Sequence, residues 1–334
     1  MLKLFQSFFG GEESRGRYPE SLVTAAIERA VDGTDSRLRL LPGYSKRLRG
    51  PVIHAIDHVV ALVDNLPAPL AAGREDFSAD PRLATLFVSA AHMLEVLGRD
   101  RALAEFLKGY SGGAERLTAL LLADRVEKNV LGMELAGEQV RRDVAQLTVS
   151  FRGHRLVEVA DSEAETRRLL KRRAFDHLLT LALARIVDVR EERSDLARQR
   201  DVLRHKLTTL ERNGWSFAEG EGTPAEPASL QAELADIDTQ LEHLGTDASV
   251  LNTHLDIVVD QLAQAEQLLQ SETLRMRLDS MNIQRDAQDV TGRDIDLNEI
   301  HNARGISSVL LLISVKPGEL PPREDFLATA HRYL

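Results

Sequence analysis

Leu230 to Leu269 reads LQAELADIDTQLEHLGTDASVLNTHLDIVVDQLAQAEQLL, and this stretch decides the fold that the sequence suggests. Leu230, Leu234, Ile237, Leu241, Leu244, Ala248, Leu251, Leu255, Val258, Leu262, Ala265 and Leu269 recur at alternating steps of four and three without a slip. An apolar repeat held over more than three or four heptads predicts a helix whose one stripe packs on another helix in a coiled coil. The pattern skips after Leu269 and resumes at Leu274, Leu278 and Met281, which predicts a local change of winding.

A second, less pure seam lies upstream: Leu169, Arg172, Leu179, Leu183, Ile186, Val189, Arg193, Leu196, Arg200, Leu203, Leu207 and Leu210. Arg193 and Arg200 interrupt it, as devices that fix register or as its outer edge. Between the seams, residues 213–227 (NGWSFAEGEGTPAEP) are too rich in glycine and proline for helix, so the second arm is expected to fold back on the first. Charge agrees: thirteen Lys/Arg against nine Asp/Glu in 163–212, and three against ten in 228–285. Opposite charge favours the two arms lying side by side, although each exposed pair contributes only about 0.2–1 kcal/mol. The expectation is an antiparallel coiled-coil hairpin over 163–285 with its loop at 213–227, each arm of six heptads roughly 60 Å long. Pairing of the arms with other copies is the alternative.

Outward from the hairpin, residues 18–128 read as a helical bundle. Tyr18-Pro19-Glu20 opens a helix that Gly33 stops, Gly50-Pro51 opens another, Asp80-Pro81 supplies a cap and a proline start, and a Leu-rich helix is expected from Ala114. From about Asn129 the apolar period shortens toward two, and Arg152-Gly153-His154 looks like a turn, so 129–162 reads as a small β-meander. Ser307 to Val315 (SSVLLLISV) has the composition of a buried strand that joins the meander, since a lone strand leaves its backbone groups unsatisfied. A short helix over Arg323 to Leu334 closes the 286–334 segment. The predicted fold class is predominantly α with a small β-sheet (α+β), the hairpin inserted between the meander and the C-terminal strand.

Composition narrows the function classes. A formal charge of −10 argues against general nucleic-acid binding, which needs a positive surface. With no cysteine there are no disulfides or thiolate metal sites, and a reducing, cytoplasmic compartment is allowed. The apolar start is too short and interrupted for a signal peptide core, and the run Val309 to Val315 is far short of a bilayer span.

Few residues point to chemistry. His54-Ala-Ile-Asp57-His58 resembles an inverted zinc-protease motif with Asp57 in place of the catalytic glutamate, but both histidines fall opposite the Val52/Ile56/Val59/Val63 face and no further ligand follows at a diagnostic spacing. Asp294-Ile-Asp296-Leu-Asn298 starts like a calcium loop, yet Glu299 and Gly305 stand where the glycine and the terminal glutamate belong, and Ile295 and Leu297 alternate like a strand. Phosphate loops are absent from the sequence. Two basic clusters, Arg37/Arg39/Lys46/Arg47/Arg49 and Arg167/Arg168/Lys171/Arg172/Arg173, lack interleaved aromatics for base stacking.

Two apolar features suggest contacts. Leu2, Leu4, Phe5, Phe8 and Phe9 form a segment that could rest on an anionic membrane surface or on a partner. Trp215 and Phe217, in the hairpin loop, could anchor a protein partner or cap the coil. A projecting arm argues for a partner more than for a reaction. The sequence therefore predicts a non-enzymatic scaffold or interaction protein without cofactor that binds a protein partner or itself. The alternatives are a peripheral membrane protein anchored by residues 1–10 and a metal-dependent hydrolase built on His54, Asp57 and His58.

Overall fold

The computed structural model describes residues 18–110, 112–136, 139–213, 227–245, 249–302, 305 and 307–321. In chain order these form α1 (Glu20–Asp32), α2 (Tyr44–Asp64), the short strand β1 (Leu70–Ala71), then α3 (Pro81–Leu86), α4 (Ala90–Arg99) and α5 (Arg101–Gly109). Two long strands follow, β2 (Leu117–Ala136) and β3 (Gln139–Ala160), and then a helix of 51 residues, α6 (Glu163–Asn213). The chain continues with α7 (Pro227–His243), α8 (Val250–Ala263), α9 (Ala265–Leu268) and strands β4 (Leu269–Leu278), β5 (Arg293–Asn302) and β6 (Ser307–Val315). Among the described residues no helix is long and apolar enough to cross a membrane.

Contacts divide the chain into two compact units, one from Met1–Asp57 with Phe175–Ala265 and one from His58–Ala174 with Glu266–Leu334. The first is helical. Leu22, Ile27, Val31, Leu48, Val52, Leu178, Ile186, Leu255 and Leu262 are buried in it, each removal of such a side chain from water worth about 1.5–3 kcal/mol. Further along α6, Leu203 is buried with Leu230, Leu234 and Ile237 of α7, flanked by Leu196, Leu207 and Leu241.

The second unit is built on a six-stranded sheet of order β3-β2-β6-β5-β4, with β1 pairing parallel to β6 and the other pairs antiparallel. On one face α3, α4 and α5 bury Leu83, Leu86, Phe87, Met93, Leu97 and Leu103 against Leu117, Ala119, Leu121, Ile295, Leu297, Leu311 and Ile313. On the other face Val63 and Leu66 at the end of α2, and Leu170 near the start of α6, cover Leu120, Val157, Leu310 and Leu312.

This sheet corrects the expected fold class. The β component is a large six-stranded sheet and not a small meander beside a helical protein. Residues 117–123, read as the start of a Leu-rich helix, are a central strand whose alternate side chains enter the two cores on opposite faces. A strand apolar on both sides has no visible period of two, and so cannot be told from a buried helix by pattern.

Leu274 and Leu278, read as the resumed seam, lie on β4, and with Met276 they pack into the sheet core. A spacing of four satisfies a strand's alternation as well as a heptad. The skip after Leu269 therefore marks the change from helix to strand. The repeat itself is also interrupted, since α7 ends at His243 and α8 begins at Val250, with Gly245 at φ +93°.

Arg152-Gly153-His154 is not a turn either: β3 runs through it. Leu122 pairs with Arg155 and Asp124 with Arg152, so one residue of β2 faces two of β3. Gly153 has φ +62°, the left-handed conformation of a glycine bulge. Helix α2 begins at Tyr44 and carries Pro51 in its interior. The expected helix over Arg323 to Leu334 lies outside the described residues.

Candidate anion-binding site

In the helical unit a single carboxylate gathers charged groups from three elements. Asp35 caps the 3-10 turn Ser36–Leu40, its Oδ1 accepting from the Arg37 backbone N–H at 3.1 Å and from Arg37 Nε at 3.0 Å. Asp35 Oδ2 accepts from Arg37 Nη2 at 2.8 Å, from Arg190 Nη2 of α6 at 2.6 Å, and faces His254 Nδ1 of α8 at 2.8 Å. Asp35 and His254 are both buried.

Because the carboxylate can only accept, His254 carries its proton on Nδ1, which leaves Nε2 toward Arg190 Nε at 3.4 Å. The Arg37 side chain, then His254 and the Arg37 amide, hold the Asp35 carboxyl well below the usual carboxylate range. Burial pushes the His254 pKa down against the pull of Asp35, and the positive charges of Arg190 and Arg37 add to that depression. A neutral imidazole and one carboxylate thus serve two guanidiniums.

Both of these guanidiniums line a cavity of about 840 Å³, together with Arg193, Arg200 and Arg204 of α6 and Asp238 and Glu242 of α7. Five guanidiniums and two carboxylates line it, with Asp35 held by Arg37 and Arg190 and Asp201 beside Arg200, in a chain whose overall charge is −10. Arg193 Nε donates to the carbonyl of Gly245 at 3.0 Å, where α7 has ended. The carboxylate contacts of Arg200 (to Asp201) and Arg204 (to Asp238) are both 3.4 Å, long for charge-assisted bonds. Val189, Leu241 and Leu244 supply apolar wall between the charges. Forked donors lining a cavity suit bidentate recognition of carboxylate or phosphate oxygens.

Arg193 and Arg200 were visible in the sequence as flaws of the α6 seam. Arg37 shows there only as one of a basic cluster, and nothing in the sequence joins it to Arg190, Arg204 and His254. The recurrence of arginine at 190, 193, 200 and 204 follows helical spacing and was the available signal; Arg37, Asp35 and His254 join only through tertiary packing.

The other sequence candidates fall elsewhere. His54 is exposed. The Tyr18 hydroxyl donates to Asp57 Oδ1 at 2.6 Å, and His58 Nε2 lies 2.8 Å from the Leu269 carbonyl. Asp57 and His58 are thus engaged in structural hydrogen bonds rather than gathered with His54 as ligands. Leu2, Leu4, Phe5, Phe8 and Phe9, and Trp215 and Phe217 in the loop, lie outside the described residues.

The basic clusters find internal partners. Arg39 pairs with Glu28 and Asp32, Arg47 with Asp256 and Arg49 with Glu20. Arg167 donates to the carbonyls of Val63, Leu66 and Pro67, satisfying the end of α2, while Lys171 pairs with Asp64 and Arg173 with Glu158. No protein-family model, curated protein or solved structure matches this chain.

Proposed function

We propose that this is a non-enzymatic interaction protein that uses its helical arm to hold an acidic segment of a protein partner in the arginine-lined cavity. The observation that carries this reading is the gathering of five arginines around one cavity of an acidic chain. Arg200 and Arg204 hold their carboxylates at 3.4 Å, longer than arginines kept only for charge pairing would be expected to show. A volume of about 840 Å³ suits a few side chains or a small ligand rather than a second folded domain. A cytoplasmic placement, which the cysteine-free sequence allows, belongs to the same proposal.

The test is fluorescence anisotropy of a labelled Asp/Glu-rich peptide against the full chain and against the double variant Arg193→Glu, Arg200→Glu. The expected result is saturable binding that weakens with salt and is lost in the variant. Equal binding by both proteins, or none by the wild type, overturns the proposal. Displacement of the peptide by millimolar inorganic phosphate would instead assign the cavity to a small anion.

A further inference from the structure

A second cluster lies in the sheet unit, with no part in the anion proposal. Glu272 of β4 and Glu299 of β5 are cross-strand partners, and His301 stands two residues beyond Glu299. Side chains two apart on a strand share a face, so the pairing register alone brings all three together. His301 Nε2 is 2.9 Å from Glu272 Oε1 and 3.7 Å from Glu299 Oε2, and one donor atom of each residue lies within 4.8 Å of the other two. Among the described residues this is the group of three whose donor atoms come together in this way.

We propose that Glu272, Glu299 and His301 form a zinc site on the β4–β5 pair. With bonds of about 2.0–2.2 Å to nitrogen and oxygen, a tetrahedral ion needs donors roughly 3.3–3.5 Å apart. The separations of 2.9 and 3.7 Å bracket that edge, so small rotamer adjustments close the site. One imidazole with two carboxylates favours zinc or a similar transition metal over calcium and magnesium, which take oxygen.

Glu299 is only 1% exposed, and Arg125 Nε and Nη2 donate to its two oxygens at 3.2 Å. Those contacts fix the carboxylate plane and leave a lone pair of Oε2 on the His301 side, the arrangement by which an outer group orients a ligand. The Arg125 charge opposes a cation, and the two carboxylates offset it. Glu272 and His301 reach solvent, so an ion can enter and a fourth position stays open to water. Without a metal, the same groups make an ordinary hydrogen bond between His301 and Glu272, and the experiment separates the two.

The full chain, stripped with a chelator, is titrated with zinc chloride against a chromophoric competitor, and with cobalt(II) for its visible spectrum. One equivalent of zinc per chain is expected, with the intense cobalt bands of four-coordination. His301→Ala and Glu272→Gln should each weaken zinc by at least about tenfold, while His54→Ala leaves it unchanged. Both affected side chains reach solvent, so the variants are expected to fold, as circular dichroism will show. Should His301→Ala fail to fold, Glu272→Gln decides. Absence of saturable one-equivalent binding, or unchanged affinity in the folded variants, overturns the site.

Discussion

Asp35 Oδ2 and His254 Nδ1 stand 2.8 Å apart, 219 positions apart in the chain, and both side chains are almost wholly removed from solvent. This contact ties the 3-10 turn after α1 to α8, and Arg190 brings in α6 through the same oxygen. Replacing Asp35 by Asn keeps the volume but leaves two guanidiniums without their counter-charge. Breaking a buried pair costs about 3–5 kcal/mol; Arg37 and Arg190 are half-exposed and can rehydrate, so a loss of about 2 kcal/mol is expected. Urea denaturation of Asp35→Asn measures it, and an unchanged midpoint would show that the network adds no stability.

The same pair makes stability depend on pH, in one direction. The native pKa of His254 lies below its ordinary 6.5, so as pH falls the unfolded chain takes up the proton first. Its effect is absent above about pH 6.5 and destabilises progressively below that. Asp35, also depressed, contributes fully above its ordinary 3.8 and loses that contribution as pH falls through its native value. The groups facing His254 are Asp35, Arg37 and Arg190. Denaturation midpoints at several values from about pH 8 to pH 5 should fall for the wild type and stay flatter for His254→Asn. Parallel curves would refute the assignment, because half-buried His154, whose pKa burial also lowers, is present in both proteins.

How much of this was legible in the sequence depends on which period a residue obeys. The stripe of Leu230, Leu234 and Ile237 is read correctly as helix because steps of four and three exclude a strand. Leu274 and Leu278 obey both periods, and the sheet, whose pairing with β5 is non-local, decided them. Leu117 to Ala123 carries no period because both of its faces are buried. The candidate site divides along the same line. Arginines 193 and 200 stood out against a leucine seam, whereas Asp35 and His254 meet only after the unit has folded. Glu299 stands in the sequence only as the residue that breaks a calcium-loop pattern, and its cross-strand partner Glu272 cannot be seen from one strand.

The bulge in β3 gives a sharper test of backbone than of side chains. Gly153 sits at φ +62°, and a Cβ there would lie 2.9 Å from Asp124 Oδ2. Gly153→Ala should cost about 1–2 kcal/mol, combining the left-handed backbone penalty with the crowding of Asp124. Hydrogen exchange should localise the loss to amides of β2 and β3 flanking the bulge. A stability change within about 0.3 kcal/mol would mean that the strand relaxes out of the left-handed region at no cost.

The seam arginines set stability against binding, and this separates a functional from a structural reading of α6. Arg200 lies between Leu196 and Leu203, leucines that pack toward α7, and its carboxylate contact is the long one to Asp201. If its role were to hold the helix pair together, Arg200→Leu would be neutral or destabilising. If the position is kept charged for a ligand, leucine restores the stripe, and the helical unit should gain about 1 kcal/mol by burying apolar area. The same variant should bind the acidic peptide about tenfold more weakly, since a charge-assisted hydrogen bond contributes about 1.5–3 kcal/mol. Thermal midpoint and anisotropy on one preparation read both effects. A gain in stability together with a loss of binding is the signature of a residue retained for recognition, and a loss of both would return Arg200 to the architecture of the helices.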